Sequence, residues 1–215
     1  MEVKASEIAW QSAYKILTGA IVPRPIGWIS TIDDNGVPNI APFSFFNVAS
    51  SNPPHVLFCV NIRGSDGMTK DTLNNVRANG EFVVNIVTED TVWAMNQTAQ
   101  AVTHDVNEFE LANLTQVPSA LVKPPRVGEV PIHFECKVSQ IVDLGDGGVG
   151  SGSVVIGEVI HLHVDDEYLF GGDKIDTDKL RPVGRLAGAE YARMTDRFTL
   201  VRPPGSPSWR TRTAR

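Results

Sequence analysis

The chain has 215 residues, of which 42% are hydrophobic and 20% charged, and its formal net charge is −6. This length suits one domain with a sizeable core, and the composition is that of a globular protein rather than a disordered or fibrous one. The negative charge makes nucleic acid a poor partner, and no apolar run approaches the ~20 residues that a membrane-spanning helix needs.

The N-terminal residues carry no long apolar stretch and no small-residue cleavage site of a secretory signal, so we expect a cytoplasmic protein. Cys59 and Cys136 both lie in apolar, strand-like segments. That position favours two buried thiols over a disulfide or a redox pair.

Short segments rich in β-branched and aromatic residues, bounded by Gly, Pro or Asn, predict strands along most of the chain. The turn formed by residues 33–36, with the sequence DDNG, tolerates positive φ and predicts an antiparallel hairpin. The predicted strands are residues 26–32, 39–43, 56–62, 81–87, 132–142 and 153–164.

Two short helices are predicted between these strands. The first covers residues 71–79 and ends at Gly80, and the second begins near Thr88, with Val92 and Met95 at helical spacing. Many short strands and few helices favour a barrel or sandwich. We therefore expect a single domain over residues 1–200, followed by a tail, 201–215, that is rich in Pro and Arg and to which we assign no chemistry.

A glycine-rich segment at residues 145–150 has the spacing of a dinucleotide-binding loop, and Asp165 follows at a suitable distance. That function requires a helix directly after the glycines, because the helix N-terminus must meet the pyrophosphate. Here a predicted strand follows instead. The segment is therefore interpreted as a hairpin loop.

His161 and His163 are two residues apart on a predicted strand, so both side chains lie on one face and could ligate a metal. No third ligand follows at a recognisable spacing. Exposed or hydrogen-bonded histidines are the better interpretation, and we expect no metal site.

The segment 61–72 runs from a predicted strand through a glycine-containing loop to the start of the first predicted helix. Arg63, Lys70, the Thr72 hydroxyl and free N–H groups at the helix start could converge on a phosphate monoester. Asp71 would repel such a ligand unless it points aside. A solvated loop with an N-cap remains equally compatible with these residues.

The segment 41–47, with the sequence APFSFFN, places polar groups among three phenylalanines. Pro42 cannot donate to a strand ladder, so the strand should lie at an edge or break near Ser44. Such a surface suits a planar heterocycle with polar edges. A core corner packed with aromatic rings is an equally good interpretation.

Seven blocks in order resemble the flavin reductase-like family of FMN-binding split-barrel proteins, including its flavoredoxin-type members. The resemblance spans most of residues 16–198, and no single block carries it alone. The blocks are PRPIGWIST (23–31), DxxGVPNIAPFSFFN (33–47), SNPP (51–54), KDTLNNVRANGEFVVN (70–85), EFELANLT (108–115), PIHFECKV (131–138) and GRLAGAEYARM (184–194).

This resemblance implies a mainly β fold, a six-stranded Greek-key split barrel with short flanking helices, and a homodimer with FMN near its interface. It implies ring contacts by the APFSFFN block and phosphate contacts by the loop and helix start. Arg185 could reach the ring or phosphate, or form a structural salt bridge. The residues implied to hold FMN are Ser44, Phe45, Phe46 and Asn47 at the ring, Thr31 nearby, Arg63, Lys70 and Thr72 at the phosphate, and Arg185.

Three functions follow from the resemblance, in order of preference. The first is an NAD(P)H-dependent flavin oxidoreductase that passes hydride from NADH or NADPH to FMN, and whose reduced flavin could serve a partner monooxygenase. The second is an FMN-holding electron carrier reduced by a protein partner. The third is a binding module without redox activity. Because the cofactor carries the chemistry, no catalytic side chain is assigned.

Overall fold

The computed structural model describes residues 1–104, 106–201 and 203. Within them, seven antiparallel strands form the main sheet in the spatial order β2-β1-β5-β8-β9-β4-β3. The long hairpin β8–β9 lies near its middle, and β2 and β3 form its two edges. The strands are β1 Gly27–Ile32, β2 Pro38–Phe43, β3 Phe46–Ser51, β4 Pro54–Asn61, β5 Glu81–Ile86, β8 Ile132–Leu144 and β9 Gly152–Val164.

Three short antiparallel pairs lie outside this sheet. The pairs are β6 Gln116–Val117 with β7 Arg126–Val127, β10 Leu169–Phe170 with β11 Lys174–Ile175, and β12 Val183–Arg185 with β13 Tyr191–Arg193. The helices are α1 Trp10–Ala20, α2 Asp71–Asn79, α3 Val92–Gln97, α4 Glu108–Leu111 and α5 Thr177–Leu180, with 3-10 turns at Ala5–Glu7 and Asp166–Tyr168. The longest of the described helices, α1, has 11 residues.

The predicted mainly β architecture is confirmed, with one more strand in the described sheet than the six expected. The additional strand is β3. Beyond Phe46 its residues are all exposed, so the segment lacks the alternation of a half-buried strand. The six predicted strands and helix α2 match the structure to within two residues at each end.

The predicted hairpin turn joins β1 to β2. Gly36 has φ 85°, and the Asp33 carboxylate accepts hydrogen bonds from the N–H groups of Asn35 and Val37. β2 ends at Phe43, one residue before Ser44, as the position of Pro42 predicted.

Two clusters of buried side chains form the core. In one, the Phe58 ring lies 5.2 Å from that of Phe43 and 5.1 Å, edge-on, from that of Phe82. In the other, Trp28 packs with Met95 and is fully buried, and its indole N–H donates to Thr98 Oγ1 at 2.9 Å. The two clusters cover opposite faces of β1, which fixes its position in the sheet.

The glycine-rich segment 145–150 is the connection of the β8–β9 hairpin, so its interpretation as a hairpin loop is confirmed. Cys136 is buried, as predicted, whereas Cys59 is half-buried, and both cysteines are free. Burial raises the pKa of both thiols, which keeps them protonated and unreactive near neutral pH. Among the described helices, none combines the length and apolar character needed to cross a membrane.

Candidate functional site

Two adjoining cavities, which we call together the main groove, run between α1, β2, the start of α2 and the β12–β13 hairpin. The loop end has a volume of about 380 Å³ and includes Arg63, and the arginine end has about 590 Å³ and includes Arg24. Both ends share the walls formed by Tyr14, Pro42, Lys70 and Ala99. The main groove can therefore receive one elongated ligand.

Two cations face the loop end. The Lys70 ammonium lies over the Phe43 ring, 5.2 Å from its centroid, and makes no ion pair with a described residue. Arg63 Nε is buried and makes no hydrogen bond within the described residues, although it forms an ion pair with Asp66 Oδ1 at 3.3 Å. Burial, and then the charge of Arg63, lower the pKa of Lys70. Cations that repel each other in a cavity favour an anionic ligand.

The N-terminus of α2 also faces the loop end. Lys70 is its N-cap residue, and its side chain does not cap the helix. The Lys70 carbonyl accepts from the N–H groups of Leu73 and Asn74, so those of Asp71 and Thr72 have no acceptor within the helix. The side-chain N-cap, one of the two interpretations left open by the sequence, is therefore not formed among the described residues.

A buried polar network lies beneath Thr72. Asn39 donates to Thr72 Oγ1 at 3.0 Å and to Thr31 Oγ1 at 3.4 Å, and Asn75 donates to Thr31 at 3.0 Å. Thr31 is fully buried and does not line the main groove. Its hydroxyl instead accepts from both amides, of which that of Asn39 also donates to Thr72. The Thr72 hydroxyl has no acceptor among the described residues and can donate to a ligand.

A buried carboxylate, that of Glu108, lies at the opposite wall of the loop end. Its Oε2 accepts from the Ile40 N–H at 3.3 Å, and burial raises its pKa. Glu108 belongs to the EFELANLT block of the resemblance, which implied no role for it. A carboxylate with one long hydrogen bond can accept further bonds from hydroxyl groups of a ligand.

Arg24 dominates the arginine end, and sequence reasoning missed it. The residue is only 6% exposed, and its guanidinium donates to the carbonyls of Thr18 at 2.6 Å, Ile21 at 2.8 Å and Leu186 at 2.9 Å. Nε lies 3.4 Å from Ser44 Oγ. Arg24 therefore joins the C-terminal end of α1 to the β12–β13 hairpin and carries a positive charge into the main groove.

Arg185 lines the same end. Its guanidinium stacks on the Tyr191 ring, 4.6 Å from the centroid, and donates to the Tyr191 hydroxyl and the Gly188 carbonyl. No carboxylate of the described residues pairs with it, so the salt bridge considered for Arg185 is not formed. Its backbone exchanges hydrogen bonds with Arg24, which brings the first and last blocks of the resemblance together.

Three residues that the resemblance assigns to the ring do not line the main groove, although the Phe45 ring lies 5.9 Å from the Arg24 guanidinium. A third cavity, of about 390 Å³, shares Arg24 and Ser44 with the arginine end and is lined by Phe45, Phe46 and Asn47. Asn47 is exposed. Of the predicted site residues, the main groove thus unites Ser44, Arg63, Lys70, Thr72 and Arg185, with Thr31 beneath it.

The histidine pair on β9 does not face the main groove. His163 Nε2 lies 2.6 Å from Glu135 Oε1, and that fully buried carboxylate also accepts from the N–H groups of Ala120 and Leu121, both at 2.7 Å. His163 therefore has a structural partner and His161 is exposed. No group of three potential metal ligands occurs among the described residues.

Comparisons with known proteins agree on one family. Residues 19–177 match the Flavin reductase like domain. An uncharacterised protein of Halalkalibacterium halodurans is 41% identical over 204 residues, which cover 94% of this chain and 97% of that protein. The fold is similar over almost its full length to two solved structures at 30% identity or more.

The first solved structure is nitrilotriacetate monooxygenase component B from Bacillus cereus, with a TM-score of 0.87 and 35% identity, covering 93% of this chain and 98% of that one. The second is the 2-nitrobenzoate 2-nitroreductase of Pseudomonas fluorescens, with a TM-score of 0.80 and 30% identity, covering 97% and 100%. The resemblance found in the sequence blocks is thereby confirmed.

Proposed function

Because this chain belongs to the flavin reductase-like domain family, we propose that it binds FMN in the main groove and accepts hydride from NADH or NADPH. The observation that carries this proposal is the set of cations, Arg24, Lys70 and Arg185, which line the main groove without a described carboxylate partner. Bound FMN would supply the hydride-accepting chemistry.

The loop end fits a phosphate monoester, which carries roughly −1.5 to −2 charge. The buried Arg63 Nε lacks a hydrogen bond among the described residues, the Lys70 ammonium lacks a counter-ion there, and the N–H groups of Asp71 and Thr72 are free of helix acceptors. An anion at this position would satisfy all of these donors. Glu108, on the far wall, would accept from hydroxyl groups of the ribityl chain.

The arginine end fits the polar edge of a flavin ring. Ser44 offers a hydroxyl, and the positive charges of Arg24 and Arg185 favour the negative charge that gathers on a flavin upon reduction. The terminal nitrogens of Arg24 donate to backbone carbonyls, which fix the guanidinium in place. Arg24 would therefore act on a bound flavin through its positive charge rather than by a hydrogen bond from these nitrogens. No acid–base pair is required of the protein.

The similarity to a monooxygenase component supports a further part of the proposal. A reduced flavin produced in the main groove could be passed to a partner monooxygenase, as an oxygenase needs a source of reducing equivalents. A homodimer is proposed on the apolar face of α1, where Tyr14, Leu17 and Ile21 are about half exposed, next to the cavities. The second copy would cover that face.

The experiment combines ligand analysis with anaerobic stopped-flow mixing. Purified protein is extracted and its flavin identified by chromatography, with about one FMN per chain expected. Mixing with NADH and with NADPH should bleach the flavin absorbance. Absence of flavin, together with no binding of added FMN, would overturn the proposal. A bound flavin that neither nucleotide reduces would make the protein an electron carrier.

A further inference from the structure

We propose that a second cavity, behind Arg185 and Tyr191, binds the adenosine phosphate part of a nicotinamide dinucleotide. The cavity, which we call the tryptophan pocket, has a volume of about 370 Å³. It shares Arg185 and Tyr191 with the arginine end of the main groove. This inference rests on the proposed function, because it assigns a site to the electron donor.

The position of the tryptophan pocket suits a donor that must reach a flavin from outside. Hydride transfer requires the donor ring within about 3–3.5 Å of its acceptor, whereas the rest of a dinucleotide needs a separate surface. The stacked pair Arg185 and Tyr191 forms the wall between the two cavities. A dinucleotide lying over this wall would place one end in each cavity.

The lining provides a stacking surface for a planar base. Trp93, on α3, is 79% exposed, although an indole is among the most favourable side chains to bury. Val92, Val183 and Ala192 give the pocket apolar walls, while Asn96 offers an amide to the edge of a ring. Exposed aromatic and apolar groups around one polar side chain are typical of a small-molecule site.

The charges of the tryptophan pocket favour an anion. Arg185 and Arg193 both line it, against one carboxylate, that of Glu89. Arg193 Nε pairs with Glu89 Oε2 at 3.0 Å, and the Arg193 side chain is 72% exposed, so it remains accessible to a ligand in the pocket. Two arginines and one carboxylate give the pocket a net positive charge, which suits the diphosphate of a dinucleotide. An uncharged aromatic ligand would not require either arginine.

The wall itself is held from both sides. The Tyr191 hydroxyl lies 3.3 Å from Asn96 Oδ1 on α3, while Arg185 stacks on the ring and bonds to the Gly188 carbonyl. Gly188, with φ 57°, turns the chain between β12 and β13. A ligand in the tryptophan pocket would therefore contact Arg185, which also lines the main groove.

The test measures binding without reduction. ADP-ribose is titrated by calorimetry into the flavin-loaded protein and into Trp93→Ala, Trp93→Phe and Arg193→Gln variants. Trp93→Ala and Arg193→Gln should each raise the dissociation constant about tenfold, as expected for one stacked base or one phosphate contact, with Trp93→Phe close to wild type. Phe170→Ala, which removes a half-exposed aromatic ring of β10 outside both cavities, is the control and should change nothing.

Steady-state kinetics supply the second readout. For Trp93→Ala we expect a higher KM for the dinucleotide with kcat and FMN affinity within twofold of wild type. ADP-ribose that binds wild type and Trp93→Ala equally, or that does not bind, would overturn the inference. If NADH reduces the flavin with the same KM in wild type and Trp93→Ala, the tryptophan pocket does not bind the dinucleotide, while the proposed function still holds. Trp93-dependent binding without flavin reduction would support the pocket and refute the reductase.

Discussion

The ammonium of Lys70 lies 5.2 Å from the centroid of the Phe43 ring, and no described carboxylate pairs with it. We predict that Lys70→Ala raises the dissociation constant of FMN by roughly one to two powers of ten, because a charge-assisted hydrogen bond is worth about 1.5–3 kcal/mol. Thr72→Ala should show an effect at the lower end of that range. Flavin fluorescence titration measures both.

Riboflavin and a distant lysine supply the controls for this prediction. Riboflavin lacks the phosphate, so it should bind wild type and both variants with similar, weaker affinity. Lys137→Ala removes an exposed lysine from β8 and should leave FMN binding unchanged. Equal loss of riboflavin and FMN affinity would place the phosphate elsewhere.

Thr31 is predicted to act as a support for Thr72. Thr31→Val keeps the shape of the side chain but leaves the amides of Asn39 and Asn75 without their shared acceptor, so we expect a loss of about 1–3 kcal/mol in the free energy of unfolding. FMN affinity should fall less than in Thr72→Ala. Urea denaturation measures the first effect. Thr31→Ser, which retains the hydroxyl, should behave like wild type.

Arg24 should stabilise the contact between α1 and the β12–β13 hairpin. Arg24→Lys keeps the charge but cannot reach the carbonyls of Thr18, Ile21 and Leu186 together, so we expect a loss of about 2–3 kcal/mol in stability. Amide hydrogen exchange of residues 183–193 should accelerate.

An exposed arginine provides the comparison for this variant. Arg77→Lys changes a guanidinium that is 43% exposed and pairs with Asp143. Because exposed ion pairs contribute little, this variant should hardly lower the free energy of unfolding. Unchanged exchange in Arg24→Lys would mean that other contacts hold the hairpin in place.

His133 makes stability depend on pH. Burial lowers its pKa to about 4, and the smaller effect of Glu135 does not offset this. The unfolded chain, with a pKa near 6.5, binds a proton between pH 6.5 and 4 that the folded chain does not. Stability therefore falls as the pH falls through this window, by about 3 kcal/mol for this group.

Urea denaturation at pH 7 and pH 4.5 tests this dependence. His133→Gln retains a donor for the Val127 carbonyl but does not titrate, so its stability should vary less with pH than that of wild type. His104→Gln, at an exposed histidine, should retain the wild-type dependence. Identical pH profiles for wild type and His133→Gln would contradict the assignment.

The apolar face of α1 is predicted to be a dimer contact. Leu17 is about half exposed, and Leu17→Glu would place a charge where the second copy packs. Light scattering should give a dimer for wild type and a monomer for the variant. A wild-type monomer at micromolar concentration with FMN bound would contradict this prediction.

Local patterns were enough to predict six of the seven strands of the main sheet and α2, because alternation, turn residues and Gly80 all lie within a few residues of the element they define. Lys70 and Thr72 come from one continuous segment, so their position at the start of α2 also followed from local pattern, whereas their role at a phosphate stays a prediction. Arg24 could not be found in that way, since its role depends on Leu186, far along the chain. The sequence feature that could have pointed to Arg24 was its position in the PRPIGWIST block of the resemblance.

Helix α1 and strand β3 were missed for opposite reasons. Trp10, Tyr14 and Leu17 recur at helical spacing, so the signal for α1 was present in the sequence although no helix was assigned. β3 is polar and exposed, and it is defined by backbone pairing with β4. The assignment of Phe45 and Phe46 to the flavin ring came from their block. In the structure the Phe46 ring packs against Gly27, and both phenylalanines line the third cavity.

Both edges of the main sheet are built so that another strand cannot easily add to them. Pro38 and Pro42 remove two backbone donors from β2, and the pairing of β3 shifts register between Val48 and Ser50, which interrupts a regular ladder. An exposed strand without such features would be a template for aggregation. The protein should therefore stay dispersed at high concentration, and self-association should proceed through side chains rather than through continuation of the sheet.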